Sequence, residues 1–151
     1  MKNNTFINNP DNNTPKDEAL IGNEKIENAI TQLQTNPSEE LLVHTLTMIR
    51  RQMQKQGQFI VAVNPSISSN DLQIQAIQTE DGKQWWSAFT SFDEELKGSS
   101  PLMSTFLADI QSLFLSALQV NEIEGIILNP WNKTIMLDKH FIQIILGNSV
   151  S

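Results

Sequence analysis

The 151-residue chain contains no cysteine, so no disulfide bond, cysteine-ligated metal or iron–sulfur cluster can hold its fold together. A chain of this length buries roughly two thirds of its unfolded surface, enough for a hydrophobic core to stabilise it without a crosslink. Apolar residues make up 39% and charged residues 18% of the chain, a balance typical of globular domains. The fold must therefore depend on the burial of apolar side chains.

The N-terminal segment differs in composition from the rest of the chain. Residues 1–18 are rich in Asn, Thr, Pro and Lys and hold few apolar side chains, so they cannot repay the entropy of ordering. We predict a disordered leader over 1–18 and one domain over 19–148. The leader has no apolar run long enough for a signal peptide, and no apolar run approaches the roughly 20 residues that span a bilayer. These features predict a cytoplasmic protein that does not contact membranes.

The chain is acidic, with ten Lys and Arg residues against 17 Asp and Glu, a net charge of −7. A negative surface repels phosphate backbones, so we expect no nucleic-acid partner. Arg50, Arg51 and Lys55 form the one basic cluster, at the end of a predicted helix, where cations stabilise the helix dipole. The charge instead favours a basic protein partner.

Apolar residues recur at helical spacing in four segments, 24–34, 38–56, 106–118 and 139–146. Asn23, Ser38 and Asp138 stand at the start of three of these segments, and we expect their side chains to cap the helix N-termini. Gly147 follows the last segment and predicts its end.

Apolar runs of strand length occupy five segments, 59–63, 72–76, 84–90, 125–128 and 134–137. Asp81 and Gly82 form a hairpin turn signal between the second and third runs, so the first three runs predict an antiparallel meander. Helices and strands arrive in blocks rather than in strict alternation. The sequence therefore predicts an α+β fold, with a mostly antiparallel sheet of about five strands and helices packed on it.

The residues that carry most enzyme chemistry are scarce. His44 and His140 are the only histidines, and no Gly-x-Ser-x-Gly turn or glycine-rich phosphate loop occurs. Glu40 and His44 lie four residues apart, a spacing that places two metal ligands on one helix face, but nothing in the sequence supplies a third ligand. We predict no catalytic residues, no metal site and no cofactor.

The tryptophans are more informative. Trp85 and Trp86 are consecutive on a predicted strand, so their indoles must face opposite sides of the sheet. One indole then meets solvent or lines a cleft, unless helices cover both faces and both rings are core. Trp131 follows Asn129 and Pro130 in a predicted turn, where an exposed ring is a common hot spot and a ring folded onto the core is the alternative.

Several short segments together resemble a known family. They are the run Phe59–Pro65, the strand end Ala88–Asp93, the strand and turn Gly125–Trp131, and the strand Ile135–Lys139 before an isoleucine-rich terminal helix. In this order they resemble the N-terminal domain of the bacterial enhanced serine sensitivity protein B (SseB) family, over about residues 22–147.

The resemblance implies a compact cytoplasmic α+β domain, and it implies no reaction, cofactor or ligand. Longer members of the family continue into a second domain. In the order of strands that it implies, Phe89–Ser91 and Asn129–Trp131 lie at the ends of neighbouring strands and line one rim. Their hydroxyl and amide groups can also serve simply to satisfy the backbone of the turns.

Two functional hypotheses follow. The leading one is a non-enzymatic protein-binding module, regulatory or immunity-type, whose acids and aromatic rings bind a basic partner. The rival is a small-molecule or enzymatic domain for an amino-acid-like metabolite, with a pocket at the sheet rim that contains Thr90, Ser91 or Asn129. The sequence leaves the oligomeric state open. The candidate surface comprises Trp85, Trp86, Phe89, Thr90, Ser91, Asp93, Glu94, Glu95, Asn129, Pro130 and Trp131.

Overall fold

The computed structural model describes residues 15–65, 72–98 and 104–147. After a short 3-10 helix, Pro15–Leu20, the α-helices are α1 (Asn23–Thr35), α2 (Glu39–Gln54), α3 (Phe92–Leu96), α4 (Ile110–Gln119) and α5 (Lys139–Leu146). The strands are β1 (Gln58–Pro65), β2 (Leu72–Ile74), β3 (Ala76–Gln78), β4 (Gln84–Ala88), β5 (Ser104–Asp109), β6 (Ile123–Leu128) and β7 (Ile135–Asp138). The α+β class is confirmed; most of the predicted leader, residues 1–14, lies outside the described residues.

The described strands form two hydrogen-bonded ladders, β2-β1-β5 and β3-β4-β6-β7, and among them only β4 and β6 run parallel. Ile60 and Phe89 join the ladders through two reciprocal backbone hydrogen bonds of 2.8 Å. β2 and β3 are halves of one segment that bends at Gln75, whose N–H donates to Ala62 O and whose O accepts from Ser87 N–H. The antiparallel meander therefore exists, with the middle run divided between two neighbours.

The main core lies between one face of the sheet and four helices, α1, α2, α4 and α5. Phe59 on β1 and Phe114 on α4 are both fully buried, and their rings meet edge to face at a centroid distance of 6.3 Å. Ile26, Ile49 and Ile142 bring α1, α2 and α5 into the same cluster. Apolar contact between the helices and this face thus supplies the stability that the lack of cysteine requires.

The opposite face of the sheet is also apolar where the two ladders meet. Ile60, Ala62, Trp85, Phe89 and Ile127 alternate with residues of the main core and are at most 9% exposed. The run 59–63 is therefore buried on both faces of the sheet.

Two of the predicted helix caps are confirmed by their hydrogen bonds. Leu41 N–H donates to Ser38 Oγ at 3.0 Å, and Phe141 N–H donates to Asp138 Oδ1 at 2.9 Å. Gly147 ends α5 with a φ of 80°, a left-handed conformation that favours glycine. These helix ends could be predicted because each depends only on residues close by in the sequence.

The prediction that Asn23 caps α1 is wrong. Gly22 occupies the cap position with a φ of 101°, and Asn23 is the first residue of the helix. The Asn23 amide is 2% exposed and donates to Gln58 O at 2.9 Å and Thr90 O at 3.0 Å. Its side chain therefore joins α1 to the sheet instead of capping the helix.

The prediction of a helix over 106–118 is wrong in its first part. β5 occupies this part and pairs with β1 along six residues, and α4 begins only at Ile110. Asp109 marks the change, since its Oδ2 accepts from Ser112 N–H at 2.9 Å and caps α4. Phe106 and Leu107 fit the apolar spacing of the helix but lie, 47% and 37% exposed, on the strand before it.

The core packing predicts that alanine substitutions at two isoleucines of α5 differ sharply in their effect on the free energy of unfolding. Ile142 is fully buried and Ile144 is 43% exposed. We expect Ile142→Ala to lower the free energy of unfolding by about 2–5 kcal/mol, because it removes buried methyl groups and leaves a cavity. Ile144→Ala should cost no more than about 1 kcal/mol, because its side chain is only partly buried. Urea denaturation followed by circular dichroism measures both, and equal losses would contradict this arrangement of the core.

Candidate functional site

The residues predicted for the binding surface lie in several environments. The buried ones are Trp85, Phe89, Thr90, Glu94, Glu95 and Asn129, the half-buried ones Trp86, Ser91 and Pro130, and the exposed ones Asp93 and Trp131. The structure brings most of the polar residues and Trp131 together around α3. It places Trp86 in a separate cleft beside α4.

Thr90 and Asn129 form a buried polar pair at the carboxyl ends of β4 and β6. Thr90 N–H donates to Asn129 Oδ1 at 2.9 Å, and Asn129 Nδ2 donates to Thr90 Oγ1 at 3.0 Å. The Thr90 hydroxyl also donates to Glu27 Oε2 at 2.5 Å, and Asn129 N–H donates to Ala88 O at 2.8 Å. These side chains are 0% exposed and engaged within the protein, which counts against a ligand pocket formed by them.

The conformation of Asn129 yields a test of this pair. Its φ is 55°, in the left-handed region. Asn129→Ala should lower the free energy of unfolding by about 2–5 kcal/mol. It leaves Thr90 N–H without its acceptor, and alanine is sterically disfavoured in the left-handed conformation. Asn129→Gly loses the same hydrogen bonds but adopts this φ freely, so thermal or urea unfolding should find it about 1 kcal/mol more stable than the alanine variant. An alanine variant as stable as the wild type would contradict the role.

The short helix α3 carries exposed apolar side chains. Ser91 caps it by accepting from Glu94 N–H at 3.2 Å. Phe92 and Leu96, four residues apart on one side of the helix, are 38% and 64% exposed. Ile21 is 68% exposed and lines, with Phe92, a shallow depression of about 370 Å³. Two acids, Glu24 and Asp93, line the same depression. We call Ile21, Glu24, Phe92, Asp93, Leu96 and Trp131 the α3 surface.

Trp131 belongs to this surface because the β6–β7 turn packs on α3. Its indole lies against Gly98, just beyond the helix, so closely that a Cβ at that position would overlap the ring. Asn132 Nδ2 donates to Glu94 Oε2 at 3.4 Å, and the Thr134 hydroxyl donates to Asn129 O at 2.6 Å, which holds the turn. The ring is thus fixed in position and still 42% exposed.

Two carboxylates of α3 are buried beneath this surface. Glu94 is 2% exposed, and its Oε2 accepts from Lys97 Nζ and Asn132 Nδ2, both at 3.4 Å. Its Oε1 has no hydrogen-bond partner among the described residues. Glu95 is 6% exposed, and burial raises its pKa. Of the three acids predicted for the binding surface, Glu94 and Glu95 are therefore withdrawn from solvent and only Asp93 is exposed.

The raised pKa of Glu95 predicts a specific pH dependence. The folded protein holds the Glu95 proton to a higher pH than the unfolded chain does, so the contribution of Glu95 to wild-type stability falls as pH rises above about 4.3, until the raised pKa has been passed. Glu95→Gln removes this loss, so its advantage over the wild type should be near zero in acid and grow toward neutral pH. Urea titrations from pH 3 to 8 measure this difference. Glu80→Gln, in the exposed hairpin turn, is the control for net charge, and an equal gain there would contradict the assignment to Glu95.

A larger cleft, of about 630 Å³, lies between α4 and the strands β2, β3 and β4. Trp86, Leu113 and Ile123 provide apolar lining, and Ser112 and Ser116, one helical turn apart, provide hydroxyls. Sequence reasoning missed this cleft. No pattern within one segment marks it, because Ser112 and Ser116 lie on the exposed side of α4 and the rest of the lining comes from other elements.

Other kinds of site receive no support from the described residues. His44 and His140 are both exposed. Over 15–65, 72–98 and 104–147, no group of three or more His, Asp or Glu side chains is arranged to hold a metal ion. None of the helices in these ranges has both the length and the apolar character needed to cross a membrane.

No protein-family model, curated protein or solved structure matches this chain. The resemblance to the SseB family stays a prediction from the segments that carry it. The function is therefore argued from the geometry of the α3 surface and of the cleft.

Proposed function

We propose that this chain is a non-enzymatic protein-binding module whose α3 surface docks a basic, partly apolar segment of a partner protein. The observation that carries the proposal is the concentration of large exposed apolar side chains on and beside one short helix: Ile21, Phe92, Leu96 and Trp131. Contiguous apolar groups with a polar rim are typical of protein interaction sites. The predicted cytoplasmic location belongs to the same proposal.

Trp131 is the anchor of the proposed interface. Tryptophan is among the residues most enriched at interface hot spots, where it buries a large apolar area. Gly98 supports its ring on one side, and the hydrogen bonds of Asn132 and Thr134 hold the turn in place. A ring that is already positioned loses little conformational freedom on binding, which favours affinity.

The charges around the surface determine the chemistry of the partner. Glu24 and Asp93 line the depression beside Ile21 and Phe92. Lys97 forms an ion pair with Glu94. It therefore does not neutralise the carboxylates of Glu24 and Asp93. Together with the net charge of −7, these acids favour encounter with a partner that places Lys or Arg beside apolar residues.

The rival hypothesis, a small-molecule pocket at the sheet rim, has little support from the residues predicted to form it. Thr90 and Asn129 use their polar groups within the protein, and Ser91 caps α3. Of these three residues, Ser91 alone lines a described depression, and that depression is shallow. A protein segment suits this shape better than a small molecule, which needs a concave site around most of its surface.

The test is a comparison of partner binding by two single variants. The tagged chain is used to capture proteins from a lysate of the cells that express it, and mass spectrometry identifies those retained. Titration calorimetry then measures the affinity of the captured partner for the purified chain. We expect Trp131→Ala to weaken binding by about 30-fold, the effect of a typical hot-spot residue of about 2 kcal/mol.

Ile144→Ala is the matched control, because Ile144 on α5 is 43% exposed against 42% for Trp131 and lies outside the α3 surface. It should retain the affinity of the wild type. Leu96→Asp, which places a charge on the exposed side of α3, should abolish binding. If Trp131→Ala and Leu96→Asp bind like the wild type, or if Ile144→Ala weakens binding equally, the α3 surface is not the docking site.

A further inference from the structure

We propose that the cleft between α4 and the sheet binds a small organic cation, an amine that carries an apolar or aromatic body. This site is independent of the proposed protein interface, because the cleft and the depression on the α3 surface share no lining residue. The inference is based on the shape of the cleft, on the position of Trp86 and on the charges of the lining.

The cleft is large enough for a metabolite-sized molecule. Its volume of about 630 Å³ is within the range of roughly 300–1,000 Å³ found for small-molecule sites. It stays open because small side chains face a large one: Ala76 pairs directly with Trp86 across β3 and β4, and α4 contributes Ser112 and Ser116. Larger residues at these positions would fill the space, as side chains do in the close-packed core.

Trp86 provides the apolar surface on which a ligand can rest. Unlike Trp85, which is buried on the opposite face of the sheet, Trp86 packs against the main core and still lines the cleft. Leu113 and Ile123 extend the apolar lining on either side. Among aromatic side chains, the indole face attracts a cation most strongly.

The charge of the lining selects for a cation. Asp109 and Glu122 line the cleft, and its lining contains no Lys, Arg or His. Just outside the lining, the Lys139 ammonium donates to Val120 O at 2.8 Å. Asp109 Oδ2 accepts from Ser112 N–H, and within the described residues its Oδ1 accepts no side-chain hydrogen bond, so it can accept one from an ammonium group.

The experiment titrates the full chain, labelled with ¹⁵N, with three probes of similar shape at neutral pH and constant ionic strength. The probes are 2-phenylethylamine, a cation, 2-phenylethanol, which is neutral, and 3-phenylpropionate, an anion. The chain has three tryptophans, so its NMR spectrum has three indole N–H signals, assigned by single Trp→Phe variants. We expect the amine to shift the Trp86 signal to saturation, leave the Trp131 signal in place, and bind about 10-fold more tightly than the alcohol. The propionate should bind most weakly.

Matched variants test the origin of this preference. Glu122→Gln should reduce the affinity for the amine to near that of the alcohol. Glu124→Gln, which changes an acid two residues away outside the lining, should leave it unchanged. Ser116→Leu should narrow the cleft and weaken binding of all three probes, with the rest of the spectrum showing that the chain remains folded.

Several results would overturn the proposal. They are an amine titration that leaves the Trp86 signal in place, an amine that binds no better than the alcohol, and a Glu124→Gln variant as weakened as Glu122→Gln. Trp131→Ala should bind the amine like the wild type. Failure of the amine site is therefore distinguishable from failure of the α3 surface as a protein interface.

Discussion

The parallel pairing of β4 with β6 is the constraint on which both candidate sites depend. Parallel strands point their carboxyl ends to the same edge of a sheet, so the segment leaving β4 and the segment leaving β6 emerge side by side. The segment after β4 forms α3, and the segment after β6 forms the turn with Trp131. Hydrogen bonds between Thr90 and Asn129 join the two segments. A parallel pair also needs a crossover, which here contains β5 and α4. The return of α4 over the sheet produces the cleft beside Trp86.

The features that could be predicted from the sequence are those that a few neighbouring residues determine. Ser38 and Asp138 cap their helices through the backbone three residues ahead, a geometry that any helix start offers. Alternation along a strand was enough to place Trp85 and Trp86 on opposite faces, because the side-chain period of a strand leaves no other arrangement. The α+β class followed from the same local patterns, read in order along the chain.

The features that could not be predicted depend on partners far away in the chain. Asn23 has the residue type of a cap, but its amide satisfies carbonyls of Gln58 and Thr90, residues 35 and 67 positions distant. The strand β5 has apolar residues at spacings that suit a helix, and pairing with β1 overrides that preference. The burial of Glu94 beneath the Trp131 turn likewise follows from tertiary packing, since three consecutive acids predict only an exposed helix start. The cleft arises from small residues on separate elements, whose meeting no local pattern indicates.

Both candidate sites contain acidic side chains, but the acids differ in their exposure to solvent. At the α3 surface Asp93 is exposed, so salt screens it over a Debye length of about 8–10 Å, and charge there acts mainly on the rate and selectivity of encounter. In the cleft, half-buried Asp109 lies along an apolar wall, where an ammonium group must give up part of its hydration to approach. Each site therefore needs an interaction that neither salt nor hydration weakens in this way. In the two proposals an indole supplies it, Trp131 by burying apolar area against a partner protein and Trp86 by apolar contact with the body of a small cation.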